Sequence, residues 1–372
     1  MPDTLSQGPL RVLMISKACV VGAYQRKLEE IAAHPDIDLT VIVPPAWDGQ
    51  PLERAHTEGY RLIVEPVRFD GDFHLHHYPG LRRHIREVQP HIVHVDEEPY
   101  NLATYQAVQL ARRAGARSLF FSWQNLLRRY PPPFSWFERW VLDHVDHAVV
   151  GNREAASVWR AKGYSGPLEV IPQFGVDPEI FSPPPQPTAH ERFIIGYAGR
   201  LVPEKGIDTL IRAVSLLKGE WYLTLVGDGP ERARLSELAG LLNIGGSVHF
   251  ADPLPSTRMP EFYRSLDVLV LPSRTRKNWK EQFGRVLIEA MACAVPVIGS
   301  QSGAIPEVIG ETGLTFPEGD AYALAESLQR LLLDRPLREA LGKAGRQRVL
   351  RNFTQAQIAA RTVDVYHAVM EA

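Results

Sequence analysis

The stretch from Leu271 to Gly299, LPSRTRKNWKEQFGRVLIEAMACAVPVIG, decides the fold class. It opens on the end of an apolar strand, 268–271, stopped by Pro272. A polar loop carrying Glu281 follows. Gly284 then opens an apolar helix at 284–292 that holds Glu289, and Pro296 stands in a second apolar strand at 295–299. Two strands without polar alternation, joined through a helix, describe a βαβ unit of a parallel sheet covered on both faces. A helix N-terminus released by a glycine offers free N–H groups and the positive end of the dipole, which suits a phosphate. Glu281 and Glu289 lie about two helical turns apart, so both face one ligand only if the helix reaches back to 281. Otherwise Glu281 is a partner of the helix dipole and Glu289 a solvated helix residue.

The same alternation continues in both directions. Downstream of residue 192, strands are expected at 193–197, 222–226, 248–250 and 314–316, with helices near 207–217, 230–241, 258–265, 320–333 and 336–350. Upstream, strands at 10–16, 39–43, 92–95, 118–122, 148–151 and 168–171 alternate with helices near 24–33, 81–88, 100–114, 134–144 and 153–162. Between the two series, 173–192 contains Pro178, Pro183, Pro184, Pro185 and Pro187 and reads as a linker, because proline fixes φ and removes a donor. A last helix at 354–370 gathers Ile358, Thr362, Val365 and Val369 on one face. The pattern predicts an α/β protein of two Rossmann-like, doubly wound domains facing each other across a cleft, with ligands beyond the carboxyl ends of the strands. The domains are expected over 1–178 and 179–353.

Composition narrows the function. In 372 residues, Lys+Arg 41 against Asp+Glu 43 gives a net charge of −2. Up to residue 180 there are 19 basic and 22 acidic residues, so neither half is a polyelectrolyte and nucleic acid is not an expected partner. Only Cys19 and Cys293 are present, which excludes a disulfide scaffold and a cysteine-rich metal site. The first apolar strand starts after nine polar residues, and no apolar run approaches the ~20 residues of a membrane span. A soluble, cytoplasmic protein, at most peripheral to the inner membrane face, is the expectation.

Two further stretches carry chemistry. In GYAGRLVPEKGID, 196–208, Arg200 stands at a strand's carboxyl end and Lys205-Gly206 precede the next helix. Two cations in one strand-to-helix loop are what a diphosphate needs, although Lys205 could instead be a solvated partner of Glu204. Gly227-Asp228-Gly229-Pro230 reads as a tight turn opening a helix, and Gly22 is a lone glycine between strand and helix, short of a dinucleotide fingerprint.

Together these motifs resemble the retaining family-4 glycosyltransferases of GT-B fold. The resemblance is carried by Gly199-Arg200 with Lys205-Gly206, by Gly227 to Pro230, and by Glu281 and Glu289 as an E-x7-E pair. Pro296-Val297, the segment 171–177 with Phe181, and 303–307 as a later loop add to it. It implies that Arg200 and Lys205 hold the donor diphosphate, that Glu289 binds the donor ribose and that Glu281 lies by the donor sugar. Glu281, Arg200 and Lys205 are then the catalytic set. Gly22, Gly199, Gly227, Phe283, Gly284, Arg285, Val286 and Glu289 form the donor-binding set. The resemblance also implies a final helix that crosses back to the first domain.

The first half departs from that family. Where many members carry a histidine near the acceptor, this chain has Phe121-Ser-Trp-Gln-Asn125. Gln124 and Asn125 can hydrogen-bond a sugar, but neither is a base at pH 7. Asp96 and Glu97, in His94-Val-Asp-Glu-Glu98, are further acceptor-side candidates or solvated loop charge. Asp70-Gly-Asp72 with His74, His76 and His77 has zinc-binding residue types but no strand-end setting, and reads as a polar loop. No metal or other cofactor is expected. Arg128 to Trp140 interleaves arginines with Phe134, Trp136, Phe137 and Trp140; Phe137 and Trp140 are expected to be buried, and Trp136 is a candidate contact with anionic lipid. The expected activity is transfer of a sugar from a nucleotide diphosphate sugar to the hydroxyl of a sugar or lipid-linked acceptor, with retention. The rivals are a nucleotide-sugar epimerase-like enzyme on the same fold and a donor-binding pseudoenzyme.

Overall fold

The computed structural model describes residues 8–185 and 191–372 and divides the chain into two compact units. Pro187 and its neighbours at 186–190, like residues 1–7, lie outside the described residues.

The first unit comprises Met1–Gly175 and Gln355–Ala372. Its strands are β1 (Leu10–Ile15), β2 (Ile37–Val43), a short hairpin of β3 (Ala46–Trp47) and β4 (Gln50–Pro51), β5 (Arg61–Val64), β6 (Ile92–Val95), β7 (Arg117–Ser122), β8 (His147–Val150) and β9 (Leu168–Val170). Seven of them form a parallel sheet in the order β5-β2-β1-β6-β7-β8-β9. Its helices are α1 (Arg26–Ala32), α2 (Leu81–Val88), α3 (Leu102–Arg113), α4 (Phe134–His144), α5 (Arg153–Ala161) and, from the far end of the chain, the last helix at Gln355–Glu371.

Alternation along β1 shows why both faces must be covered. Val12 and Met14 pack with Leu28 and Ile31 of α1 and with Ile358, Val365 and Val369 of the last helix. Leu13 and Ile15 face the other way, against Leu81 and Ile85 of α2 and Ala103 and Ala107 of α3. All of these are buried.

The second unit, Val176–Thr354, repeats the design. Strands β10 (Phe193–Ala198), β11 (Trp221–Val226), β12 (Val248–Ala251), β13 (Val268–Leu271), β14 (Val297–Ser300) and β15 (Leu314–Phe316) lie parallel in the order β12-β11-β10-β13-β14-β15. They alternate with α6 (Ile207–Val214), α7 (Arg232–Leu241), α8 (Met259–Arg264), α9 (Arg285–Ala292), α10 (Ile305–Ile309), α11 (Ala321–Leu333) and α12 (Arg335–Asn352), so the last helix is α13. Among the described residues no helix is long and apolar enough to cross a membrane.

Four differences from the sequence pattern have physical causes. The chain passes between units at Gly175/Val176, before the proline cluster, so the described part of that cluster belongs to the second unit rather than to a free linker. Strand β14 starts at Val297, not 295, because Pro296 has no N–H to enter the ladder and offers only its carbonyl, to Leu269 N at 3.0 Å. The segment 303–307 is the opening of α10, with Pro306 in its first turn where a missing donor costs nothing. Finally, β5 is a four-residue edge strand with half-exposed side chains, too short and too mixed to show as an apolar run.

Candidate active site

In each sheet the chain winds one way from its first strand and then the other, leaving a crevice at the carboxyl ends where the order reverses. These points lie between β1 and β6 and between β10 and β13.

At the second point, Lys205 comes from the loop after β10, and Ser273 and Glu281 from the loop after β13. Lys205 Nζ lies 2.7 Å from Glu281 Oε2, and Ser273 Oγ donates to the same oxygen at 2.8 Å. The Lys205 ammonium also sits 4.9 Å from the ring centroid of Trp279. The sequence alternative, a pairing of Lys205 with adjacent Glu204, is not what forms; the Glu204 carbonyl instead accepts Arg274 N at 2.7 Å. Backbone fit holds the loops in register. Gly206 has φ 63°, and a Cβ there would lie 2.1 Å from Pro272 O. Gly303, with φ 54°, would meet Glu281 O at 2.0 Å. Only glycine permits either approach.

Arg200 is exposed and its guanidinium has no hydrogen bond or ion pair among the described residues. It is presented where two glycine turns touch: a Cβ on Gly227 would lie 1.9 Å from Gly199 O, and one on Gly229 2.4 Å from Leu201 O. Leu201 N donates to Asp228 O at 2.9 Å, tying the loops after β10 and β11 together.

Helix α9 begins at Arg285 behind Gly284 at φ 79°, so it does not reach back to Glu281. The two glutamates therefore have separate settings. Glu289 is buried, accepts from Tyr263 Oη at 2.6 Å and lies 2.8 Å from Arg285 Nε. Burial raises its carboxyl above the ordinary range, against the opposing pull of Arg285 and the Tyr263 phenol. Phe283 is buried against Phe353, centroids 5.9 Å apart, and Val286 is half-buried.

At the first point, Ser16 Oγ donates to Asp96 Oδ2 at 2.7 Å and Lys17 Nζ to Glu97 Oε2 at 2.6 Å. His76 Nε2 pairs with the same Glu97 oxygen, and Tyr78 Oη donates to the other at 3.2 Å. Burial would raise the Glu97 carboxyl, but the His76 and Lys17 charges outweigh it and hold it below its usual range. Asp96, equally buried but with weaker compensation from Lys27, is raised. Neither is solvated loop charge. Gln124 and Asn125 are buried too: Gln124 Nε2 donates to Leu126 O at 3.0 Å, and Asn125 Nδ2 reaches Glu154 Oε2 at 3.4 Å. Gly22 spends its N–H on Glu53 Oε2 at 2.7 Å.

Sequence reasoning met Glu98 only as the last residue of the His94–Glu98 stretch and gave it no role of its own. Its Oε2 accepts from Ser122 Oγ at 2.5 Å and its Oε1 from Trp123 N at 2.8 Å, so it clamps the loop that carries Gln124. Burial pushes its carboxyl up to about 7. Sequence reasoning passed over Ser273, Trp279 and Tyr263; only Trp279, an aromatic in a polar loop, carries a sequence signal.

The loop at 70–77 disperses its side chains. Asp70 Oδ1 accepts from Asp48 N at 3.0 Å, Asp72 Oδ1 from the His74 and Leu75 amides, and the His74 ring lies among Tyr100, Tyr130 and Phe134. No three of these groups converge on a common point, and none do so elsewhere among the described residues.

Two parallel-sheet units of one strand order, one with cations at its switch point, define a protein of GT-B type. Solved structures agree on the fold. A sucrose-phosphate synthase from Thermosynechococcus elongatus superposes with a TM-score of 0.74 over 97% of this chain and 99% of its own, at 24% identity. HepE from Anabaena, in complex with UDP, gives 0.73 over 96% and 100%, at 15% identity. The family described as "Glycosyl transferases group 1" matches residues 180–348, and "Glycosyl transferase 4-like domain" matches 21–173. A GDP-mannose-dependent alpha-(1-6)-phosphatidylinositol monomannoside mannosyltransferase from Mycolicibacterium smegmatis is 31% identical over 90% of this chain and 91% of its own length. The chain belongs to the family-4 glycosyltransferases.

Proposed function

We propose that this chain transfers a sugar from a nucleoside diphosphate sugar to an acceptor hydroxyl with retention, recognising the donor through the second unit and the acceptor through the first. The observation that carries the reading is the β10–β13 switch point, where Lys205, Ser273 and Glu281 meet and the loop that carries Lys205 also carries the exposed Arg200. Breaking the sugar–phosphate bond leaves added negative charge on the diphosphate, which must be stabilised more in the transition state than in the ground state. Arg200, Lys205 and the N–H groups opening α9 supply that without a metal. Glu281 is assigned to the donor sugar and Glu289, its partner in the E-x7-E pair, to the ribose hydroxyls. The acceptor oxygen bonds to the anomeric carbon on the face the diphosphate leaves, and its proton passes to the departing phosphate oxygen. Gly22, Gly199, Gly227, Gly284, Arg285 and Val286 are assigned to the donor; the loops held by Asp96, Glu97 and Glu98 shape the acceptor side.

The similarity to a phosphatidylinositol monomannoside mannosyltransferase favours a lipid-linked or glycosidic acceptor. A peripheral contact with anionic membrane fits this. Leu127, Arg128, Arg129 and Trp136 are exposed, and Phe134, two residues before Trp136, packs on His74, whose neighbour Phe73 is also exposed.

A thermal-shift screen with GDP, UDP, GDP-mannose and UDP-glucose tests the reading. A ligand at 100 times its dissociation constant adds about 2.7 kcal/mol. Stabilisation by none of the four removes the donor assignment. Turnover of the donor that binds is expected to persist in excess chelator; its loss, restored by Mg²⁺ or Mn²⁺, overturns the cation clamp.

A further inference from the structure

Glu289, assigned to the donor ribose, is a buried carboxylate. A carboxylate that is to accept from two ribose hydroxyls must stay ionised, since a protonated oxygen donates where it should accept. It must also hold one orientation, or each hydroxyl finds a different lone pair on each arrival. Burial works against the first requirement. Helix α9 alone cannot meet the second, because Arg285, one turn earlier on the same helix, reaches Glu289 only from its own side.

The remaining constraint comes from another element. Tyr263 on α8 is fully buried between the rings of Phe181 and Phe262, whose centroids lie 6.2 and 5.6 Å away, and its phenol donates to Glu289 Oε2 at 2.6 Å. The ring cannot swing away, so the hydroxyl is a fixed donor. Burial and the adjoining carboxylate push the phenol's own ionisation far up, so it remains a donor throughout the working pH range.

We propose that Tyr263 is a positioning residue for nucleotide recognition: its hydroxyl fixes the Glu289 carboxylate so that the enzyme selects a ribose diol over a deoxygenated sugar. The proposal rests on the assignment of Glu289 to the ribose. Tyr263 touches no substrate; it acts through Glu289, by removing one rotational freedom and by favouring the ionised form.

The test is calorimetric binding of GDP and UDP, each against its 2′,3′-dideoxy form, to the full chain and its variants. Tyr263→Phe keeps the ring packing and removes only the donor. It is expected to reduce the ribo-to-dideoxy affinity ratio about tenfold, the scale of one hydrogen bond to a charged group. The dideoxy affinity should stay within about threefold, since that ligand does not use the diol. A ratio equal to wild type in folded Tyr263→Phe overturns the role of Tyr263. Glu289→Gln separates the two levels: an unchanged ratio there defeats the ribose assignment itself, whereas a fallen ratio there with an unchanged one in Tyr263→Phe defeats only the positioning role. Should Tyr263→Phe not fold, 3-fluorotyrosine placed at 263 keeps nearly the same size with a stronger donor. The ratio should then rise, and an unchanged ratio overturns the proposal.

Discussion

Each unit places a lysine–glutamate pair at its switch point, and the two pairs differ in what surrounds them. Lys17 and Glu97 approach to 2.6 Å with side chains 11% and 0% exposed; Lys205 and Glu281 approach to 2.7 Å with 21% and 10%. In the first unit His76 and Tyr78 fill the remaining sites on the carboxylate, and the rings of Trp47 and Phe73 lie 5.0 and 5.4 Å from the ammonium. In the second, the Trp279 ring lies 4.9 Å from the ammonium, Ser273 Oγ donates to the carboxylate, and the exposed Arg200 belongs to the same loop as Lys205. One topology thus yields a buried lysine–glutamate pair in one unit and a more exposed one in the other. The crevice is offered by the strand order; the loops decide whether a ligand or the protein's own side chains occupy it.

The sharpest way to break this comparison is to remove each lysine. Lys17→Met should cost about 3–5 kcal/mol of stability, because it leaves the buried Glu97 carboxylate without its ammonium. Since Glu97 ionises more easily folded than unfolded, its stabilising contribution is present above its ordinary 4.5 and is lost as the pH falls below it. Denaturant melts at pH 7 and pH 4 should show the variant's deficit shrinking at the lower pH. Lys205→Met should cost less than Lys17→Met, because the Lys205 ammonium is the more exposed of the two and Ser273 Oγ still donates to the Glu281 carboxylate. Lys205→Ala and Arg200→Ala should instead lower turnover about 10²–10³-fold, the range for removing one preorganised charge stabiliser. A Lys205 variant that unfolds, or a folded Lys17 variant as inactive as Lys205→Ala, would erase the distinction.

The strands were legible wherever they were central. Leu10–Ile15, Phe193–Ala198 and Val268–Leu271, in the middle of their sheets, are nearly unbroken apolar runs. Lys205 and Glu281 stood out in the sequence as charges in loops that follow strands, and the structure pairs them. The buried pair was not legible, because Lys17, His76, Tyr78 and Glu97 are scattered over some 80 positions and only the fold brings them together. Glu98 and Tyr263 were hidden for the same reason: each acts by a hydrogen bond to an element 24 or more residues away. The proline cluster misled in the opposite direction, since composition marks irregular backbone but not which unit owns it.

Glu98 sharpens the comparison at intermediate size. Its carboxyl titrates at about 7, against an ordinary 4.5, so the folded state favours the protonated form. The sign is opposite to that of Glu97: stability is greatest below 4.5 and declines as the pH rises through about 7. Glu98→Gln removes the titration. Relative to wild type it should gain on the order of 1–3 kcal/mol on going from pH 5 to pH 8. Melting curves at the two pH values decide it, and a pH-independent difference between the two proteins would show that Glu98 is not the titrating group.

The smallest expected effect concerns the outer surface. The first unit exposes Phe69, Phe73, Leu127 and Trp136, and arginines 128 and 129 directly follow Leu127 and lie seven to eight positions before Trp136; the exposed apolar residues of the second unit, such as Leu216, Leu241 and Tyr322, have no adjacent pair of arginines in sequence. Phe137 stacks on Tyr105 at 4.8 Å and Trp140 packs edge-on to the same ring, so α4 turns those two aromatics inward and leaves Trp136 outside. A basic residue near an anionic surface contributes about 1 kcal/mol, and the attraction is screened over about 8–10 Å at physiological salt. Binding to phosphatidylglycerol-containing vesicles should therefore exceed binding to phosphatidylcholine vesicles and weaken with salt. Arg128→Ala with Arg129→Ala should lower the partition coefficient by roughly tenfold or more, while Trp136→Ala lowers it without changing the salt slope, because the ring contributes apolar area rather than charge. Equal binding to both lipids, or a salt slope unaltered by losing the two arginines, would place the membrane contact elsewhere and leave the two units alike in their surfaces.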